Sequence, residues 1–459
     1  MQTLPAAVNN YLRKFGLSNW KVELSSEKLF DYVVVIPAIQ ESRNIPHLLS
    51  SLLKNDESIF HKALFLFVVN NLESSSQEVK EDNQKLLQFL RSIIARNSLD
   101  KLAFDVLSKY LNVGVIDAAS AGLEMPEKEG GVGFARKIGM DLALQHFDYS
   151  KPTSKILVCL DADCVVSENY LTELDKIGKQ KYSAGYFEYE HRLPDDDDEK
   201  TAIITYEIFL RYYVQGLKYA ASPYGFDTIG STMFCDAESY IKIGGMNKKK
   251  AAEDFYFMEK LAKIADIKKI SAAKVFPSAR RSWRVPFGTG QRINRFFAGT
   301  HDEYVLHNPK CFEILKKWHE VFFDENIHVA EIYLTKAKEI DTAISDFLVS
   351  QSFCEAWTKI INETGKVDQL QKQKYFWFDG FRTMKLMHYL RDNAYPLVKM
   401  VEALNQMLML PPGEIIDDSS SSWQEYFEYL KILRSNPQYL QILDALLLYR
   451  YISRAFLRS

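Results

Sequence analysis

The stretch Lys155-Ile156-Leu157-Val158-Cys159-Leu160-Asp161-Ala162-Asp163-Cys164 runs from an apolar segment, read as a buried strand, straight into two carboxylates one residue apart. Ligands of open parallel sheets bind where the strands end at their carboxyl edge. Paired aspartates there supply the hard oxygen donors that Mg²⁺ or Mn²⁺ takes. The same residues also suit an Asx-type turn that merely closes a strand. The segments on either side of this stretch weigh between the two.

Upstream, the apolar runs Tyr32 to Ile36, Ala63 to Val69 and Val113 to Ile116 are separated by stretches long enough for a helix each. With Ile156 to Leu160 as a fourth run, the alternation predicts βαβ units and an α/β fold with a mostly parallel central sheet flanked by helices. Gly130-Gly131-Val132-Gly133 feeds a helix expected over Phe134 to Phe147; such a start brings backbone N–H groups near a phosphate or forms an ordinary flexible loop. Downstream, Tyr182 to Arg192 alternates as a half-exposed strand would, Asp195 to Glu199 reads as a solvated acidic loop, and Thr201 to Ala220 as a long aromatic-rich helix. Thr228 to Phe234 is a strand candidate, Ala237 to Ile243 a short helix, and Gly244-Gly245 a turn. Beyond about residue 300 only helical spacing remains, through Tyr304 to Phe323, Glu331 to Ile361, Lys374 to Arg391, Pro396 to Met409, Ser422 to Arg434 and Pro437 to Arg458. The expected organisation is a helical lead-in (1–30), an α/β domain (31–300) and a helical C-terminal domain (301–459).

The chain has 459 residues, 47% of them hydrophobic, which is enough for two folded cores. Its net charge of -3, from 57 basic and 60 acidic side chains, gives no global field to recruit nucleic acid or an anionic membrane. The five cysteines show neither C-x-x-C spacing nor a disulfide framework, which fits a reducing compartment. Without signal-peptide pattern or long uncharged apolar window, the expectation is a cytoplasmic protein, at most peripheral at the inner face of the membrane.

Two further clusters could carry chemistry. Gly244-Gly245-Met246-Asn247-Lys248-Lys249-Lys250-Ala251-Ala252-Glu253-Asp254 turns the chain and opens an aromatic helix, Phe255 to Ile264, on two acids. Acids in a first helical turn suit the dipole, and a carboxylate fixed there also suits a general base. Ser278 to Arg292 sets Arg280, Arg281, Arg284 and Arg292 among glycine, proline and tryptophan, either a basic surface loop or guanidiniums for phosphate oxygens. The tyrosines of the long helix, Tyr206, Tyr212, Tyr213 and Tyr219, with Arg211, read as core packing or as an acceptor groove.

In order and content these segments resemble the family-two glycosyltransferases of the GT-A fold. Val33-Val34-Val35-Ile36-Pro37-Ala38-Ile39-Gln40-Glu41 is similar to that family's first strand and nucleotide-binding turn, and Gly133-Phe134-Ala135-Arg136-Lys137-Ile138-Gly139 to its G-x-x-x-A-R-N-x-G helix. Leu160-Asp161-Ala162-Asp163 is similar to its DxD motif, and Gly244-Gly245 to Glu253-Asp254 to its G-G-F…E-D segment. The resemblance covers residues 31 to about 290. It implies a GT-A-like domain that moves a sugar from a metal-bound nucleotide diphosphate sugar to a hydroxyl acceptor, with inversion. Pro37 and Glu41 would line the base pocket and Arg136 would sit beside base or ribose. Asp161 would contact ribose and metal, and Asp163 the Mn²⁺ or Mg²⁺ bridging the diphosphate; apart from the resemblance, Arg281 and Arg284 of the arginine-rich segment suit the phosphates by their guanidinium chemistry. Asp254 would deprotonate the acceptor, a glycan, a lipid-linked group or a small molecule, with Glu253 as its neighbour.

The chain departs from that pattern in three places. Asn70-Asn71-Leu72-Glu73-Ser74-Ser75 stands where the family has D-D-G-S, so Asn70 would meet the base edge with altered donor and acceptor capacity, which puts a uracil donor in doubt. Lys137 replaces the family's asparagine and adds a charge for phosphate or solvent. Gln291-Arg292-Ile293-Asn294-Arg295-Phe296 echoes the Q-x-x-R-W of processive synthases at different spacing, without their transmembrane helices. Two alternatives compete. A sugar-phosphate nucleotidyltransferase would want a glycine-rich basic loop where Pro37 to Glu41 stands. A non-catalytic nucleotide-sugar or glycan-binding module would use Asp254 only as a helix cap.

Overall fold

The computed structural model describes residues 3–97, 100–282, 288–364, 367–408 and 422–435. It divides into two compact units. The first comprises the described residues up to Arg192 together with Thr228–Gln291; the second comprises Leu193–Asp227 and the described residues from Arg292 on. The chain thus passes between units three times, whereas the sequence suggested one boundary near 300.

The first unit is built on a sheet of nine strands: β1 (Val22–Glu23), β2 (Tyr32–Ala38), β3 (Ala63–Asn70), β4 (Asn112–Ala118), β5 (Ile156–Cys159), β6 (Val165–Val166), β7 (Ala184–Tyr189), β8 (Met233–Asp236) and β9 (Ile267–Phe276), in spatial order β1-β4-β3-β2-β5-β8-β7-β9-β6. β4, β3, β2 and β5 run parallel, with Tyr32 level with both Ala63 and Ile156. β8 is antiparallel to its neighbours β5 and β7, and β7 pairs parallel with β9. From β2 the chain steps to β3 and β4 on one side, then returns to β5 on the other. The order therefore reverses between β2 and β5, and a crevice opens at such a switch point on the carboxyl edge.

β2, β3 and β5 read as near-continuous apolar runs because both faces are covered, and β4 keeps a shorter one, Val113 to Ile116. Tyr32, Val34 and Ile36 pack with Leu48 and Leu49 of the Ile45–Leu52 helix and Leu86 and Leu90 of the Gln77–Ile94 helix. The Val132–Ala143 helix lies against β2 and β3 from the other face. The lead-in belongs to this unit: β1 pairs antiparallel with β4, and Tyr11 of the Ala6–Phe15 helix hydrogen-bonds Asp141 at 2.8 Å.

Three local expectations change. β7 is buried along its whole length, because it lies inside the sheet between β8 and β9, and its Glu188 is neutralised by Lys269. β9 was not legible as a strand. The acidic Asp195 to Glu199 segment is largely helix: the Asp196 carboxylate caps the Asp197–Tyr219 helix by accepting from the Glu199 N–H at 2.9 Å.

The second unit is helical apart from the pair β10 (Val305–Leu306) and β11 (Val398–Lys399). The single helix expected over Glu331 to Ile361 is three, Ala330–Ile340, Thr342–Ser350 and Phe353–Glu363. Trp318, Phe322, Tyr333, Phe353 and Trp357 form an aromatic core. Of the tyrosines of the Asp197–Tyr219 helix, Tyr212 and Tyr213 serve packing, Tyr212 donating to the His307 carbonyl at 2.6 Å and Tyr213 meeting Phe312, while Tyr206 and Tyr219 lie half-buried under Arg292 and Lys316. Arg211 pairs with Glu207, and Arg292 and Arg295 share Glu303. The helix expected over Pro437 to Arg458 lies outside the described residues. Among those described, no helix is long and apolar enough to cross a membrane.

Candidate active site

The carboxyl edge of β2, β3 and β5 carries much of the candidate site. Asp161 and Asp163 lie in a turn just beyond β5, closed by the Cys164 N–H donating to the Asp161 carbonyl at 3.1 Å. The turn is therefore real, and it presents both carboxylates at the switch point. Beyond β2, which contains Pro37, the chain passes through Gln40 at φ 54, a left-handed conformation that is costly for a residue with a Cβ. The Gln40 N–H donates to Asn83 Oδ1 at 2.9 Å, which holds that turn. Glu41 follows, buried, and accepts from Asn44 Nδ2 at 2.6 Å where the next helix begins. Asn70 ends β3; it is buried, and its Oδ1 has no hydrogen-bond partner among the described residues. Asn83 donates to the Asn70 carbonyl at 3.0 Å and to Asn71 Oδ1 at 2.9 Å, tying this strand end to the Gln40 turn.

Arg136 is the hub. It sits on the second turn of the Val132–Ala143 helix with 2% of its surface exposed, and it pairs with Asp161 at 2.6 Å and with Glu253. Its guanidinium lies against Gly230, where a Cβ would approach Nη2 to 2.6 Å and Nη1 to 2.7 Å. Burial opposes its charge, but Asp161 and Glu253 outweigh that and raise its pKa.

Glu253 and Asp254 open the Glu253–Ala262 helix directly after Ala252, another non-glycine residue in the left-handed region, at φ 56. The preceding lysines are docked against the glycine-rich segment and its surroundings. Lys248 pairs with Glu129 at 2.8 Å, Lys250 donates to the Glu127 carbonyl at 2.9 Å, and Lys249 stands 3.5 Å over the Tyr256 ring. Gly133 makes room for this docking, since a Cβ there would come within 2.8 Å of Glu253 Cβ. Glu253 is buried beside the guanidinium; Asp254 is half-buried and more accessible. Burial raises the pKa of both acids, and Arg136 opposes the rise.

Arg280, from the segment after β9, spans the crevice. It pairs with Glu41 beyond β2 and, through Nε at 3.0 Å, with Asp163 beyond β5. Arg192 donates to the Asp163 carbonyl at 2.7 Å. Arg281 lines an adjoining cleft of about 320 Å³ with Gln40, Arg43, Lys85 and Arg280. Arg284 lies outside the described residues. Lys137 meets neither phosphate nor solvent: it is buried and paired with Asp141 at 2.7 Å, and Asp141 also accepts from Tyr11 and Tyr240. Sequence reasoning missed Arg192, Gly230 and the bridging part of Arg280, none of which has a local signal.

Among the described residues no three His, Cys, Asp or Glu side chains are grouped to enclose a metal ion. Asp161 and Asp163 are two hard-oxygen donors at a partly exposed edge, with 39% and 21% of their side chains accessible. That donor set fits a small divalent cation whose remaining positions are filled by ligand oxygens and water, the usual arrangement for Mg²⁺ with phosphates.

No protein-family model and no curated protein sequence matches the chain. Among solved structures it is similar to residues 1–349 of S. aureus TarS in complex with UDP-GlcNAc, at 12% identity and TM-score 0.37, over 76% of this chain and 91% of that one. It is also similar to the mannosyltransferase PcManGT from Pyrobaculum calidifontis in complex with GDP-Man and Mn²⁺, at 12% identity and TM-score 0.36, over 84% of this chain and 92% of that one.

Proposed function

We propose that the first unit is a GT-A-like glycosyltransferase domain that moves a sugar from a nucleotide diphosphate sugar to a hydroxyl acceptor. The observation that carries this is the Arg136 hub, which joins a carboxylate of the switch-point turn, Asp161, to the acidic helix start Glu253-Asp254. A leaving-group site and a base site are thereby fixed in one rigid frame, as positional catalysis needs.

Breaking a sugar–phosphate bond places negative charge on the departing diphosphate and positive charge on the sugar. Asp161 and Asp163 would hold Mn²⁺ or Mg²⁺, which as a Lewis acid supplies the countercharge for that diphosphate. Asp254, the accessible acid, takes the proton of the acceptor hydroxyl. Glu253 fixes Arg136 rather than reacting, since it is buried in that pair. Attack opposite the leaving group inverts the anomeric carbon. Asn70, whose Oδ1 has no partner among the described residues, meets the edge of the base, next to Pro37 and the Glu41 turn.

The test is hydrolysis and binding of UDP-, GDP-, ADP- and dTDP-sugars with and without Mn²⁺. One donor should be turned over slowly with metal, Asp254→Asn should abolish turnover while keeping binding, and Asp161→Ala or Asp163→Ala should remove metal-dependent binding. Tight binding without turnover in the wild type would instead indicate a binding module.

A further inference from the structure

We infer that Arg280 is a counterion latch: it occupies the Asp163 carboxylate in the ligand-free chain, yields it to a divalent cation, and then meets the diphosphate that the cation brings. The inference rests on the proposed use of Asp161 and Asp163 as cation ligands. Asp161 and Asp163 are paired with different guanidiniums in different settings. The Asp161 partner, Arg136, is 98% buried, held from a second side by Glu253 and backed by Gly230. The Asp163 partner, Arg280, keeps 32% of its side chain exposed and borders the open cleft. One is fixed and the other has room to move.

The pairing geometry gives the direction of movement. Arg280 bonds Asp163 through Nε and Glu41 through Nη2, so its two contacts sit on opposite lips of the crevice. A cation taking an Asp163 oxygen repels the guanidinium, while the Glu41 contact can keep it anchored at the crevice. From there it is within a side chain's swing of any diphosphate held at the switch point, and guanidinium–phosphate pairs are among the stronger charge-assisted hydrogen bonds. Cation and arginine thus compete in the empty site and cooperate in the loaded one. A merely structural salt bridge would show the first effect without the second.

The experiment measures Mn²⁺ binding by electron paramagnetic resonance, with MnCl₂ alone and with added inorganic pyrophosphate, on wild type, Arg280→Met and Arg280→Lys. Arg280→Met should bind Mn²⁺ alone about three- to tenfold tighter and lose at least about tenfold in the pyrophosphate-enhanced binding; Arg280→Lys should fall between. Should Arg280→Met fold poorly, Arg280→Gln reads the same latch, with both affinities expected to shift in the same directions as for Arg280→Met. Mn²⁺ binding indifferent to residue 280, or both affinities falling together, overturns the latch alone. No Mn²⁺ retained by wild type or Arg280→Met, with or without pyrophosphate, overturns the cation reading of the two aspartates and the latch with it.

Discussion

Gly230→Ala tests whether the Arg136 hub is held as tightly as its geometry indicates. The glycine has no positive φ, so alanine suits its backbone, and the new methyl is the whole perturbation. That methyl would stand 2.6 Å from Nη2, 2.7 Å from Nη1 and 2.9 Å from Cζ of Arg136. Relaxed separations between such atoms are about 3.5 Å or more, so the guanidinium or the loop must retreat by roughly 0.8 Å. The loop is braced, with the Thr232 N–H and hydroxyl both donating to the Ile229 carbonyl at 3.0 and 2.9 Å. The guanidinium is the softer partner, and its retreat weakens at least one of its bonds, to Asp161 through Nη2 or to Glu253 through Nη1. Weakening one charge-assisted bond costs about 1.5–3 kcal/mol. At about 2–4 °C per kcal/mol for a unit of this size, its melting transition falls by about 3–12 °C. Turnover should fall more, because a displacement near 1 Å in a positioned group costs roughly 100-fold. Differential scanning calorimetry of wild type, Gly230→Ala, Arg136→Met and the double variant isolates the contact. In the Arg136→Met background, where a flexible thioether replaces the guanidinium, alanine should cost less than about 0.5 kcal/mol. An equal cost in both backgrounds, or none in either, refutes the reasoning.

Two further outcomes follow from the buried acids. Asp141→Ala strands the buried Lys137 charge and two tyrosine hydroxyls, and should destabilise the first unit by about 3–5 kcal/mol, read as a loss of melting temperature, with Asp141→Leu/Lys137→Met recovering part of it. The base works deprotonated, and burial raises the Asp254 pKa, so kcat/KM should climb with pH through a limb above the ordinary aspartate range. Because Arg136 opposes that rise, Arg136→Met should move the limb to still higher pH; a downward move would exclude Asp254 as the base.

The strands that build the switch point were legible because they are buried on both faces. A run such as Val33-Val34-Val35-Ile36, short, β-branched and apolar on both faces, suits a strand in the middle of a covered parallel sheet. β9 was hidden for the opposite reason: Ile267-Lys268-Lys269-Ile270-Ser271 is partly exposed, and its lysines break the alternation that marks a half-buried strand. That the Asp197–Tyr219 helix groups with the second unit is a property of packing, which no local pattern carries. Of the site, the acids stood out because carboxylates at a strand end or helix start are conspicuous. Their partners did not. Arg280 differs from Arg281 only in where an irregular segment points it, and Gly230 matters only because a guanidinium from another element rests on it. The Lys137 and Asp141 pair had a readable i, i+4 spacing, yet its burial depends on Tyr11 and Tyr240, 126 and 103 residues away from Lys137 respectively, arriving from other parts of the chain.

The charges around Arg136 connect the two halves of the proposed chemistry. One guanidinium faces Asp161, Glu253 and Asp254, and it cannot neutralise all three. Burial raises the pKa of both acids at the helix start, Arg136 opposes that rise, and the charge on Asp161 adds to it. A cation at the Asp161 and Asp163 turn would offset that charge and release more of Arg136 to the helix start. Both changes lower the Asp254 pKa. By linkage, a donor that arrives with its cation would favour the deprotonated base, and a protonated Asp254 would disfavour the donor. The base is then favoured at the moment its leaving group is in place, and an empty site, with the Asp254 pKa at its highest and Arg280 on Asp163, is the form least suited to break a sugar–phosphate bond.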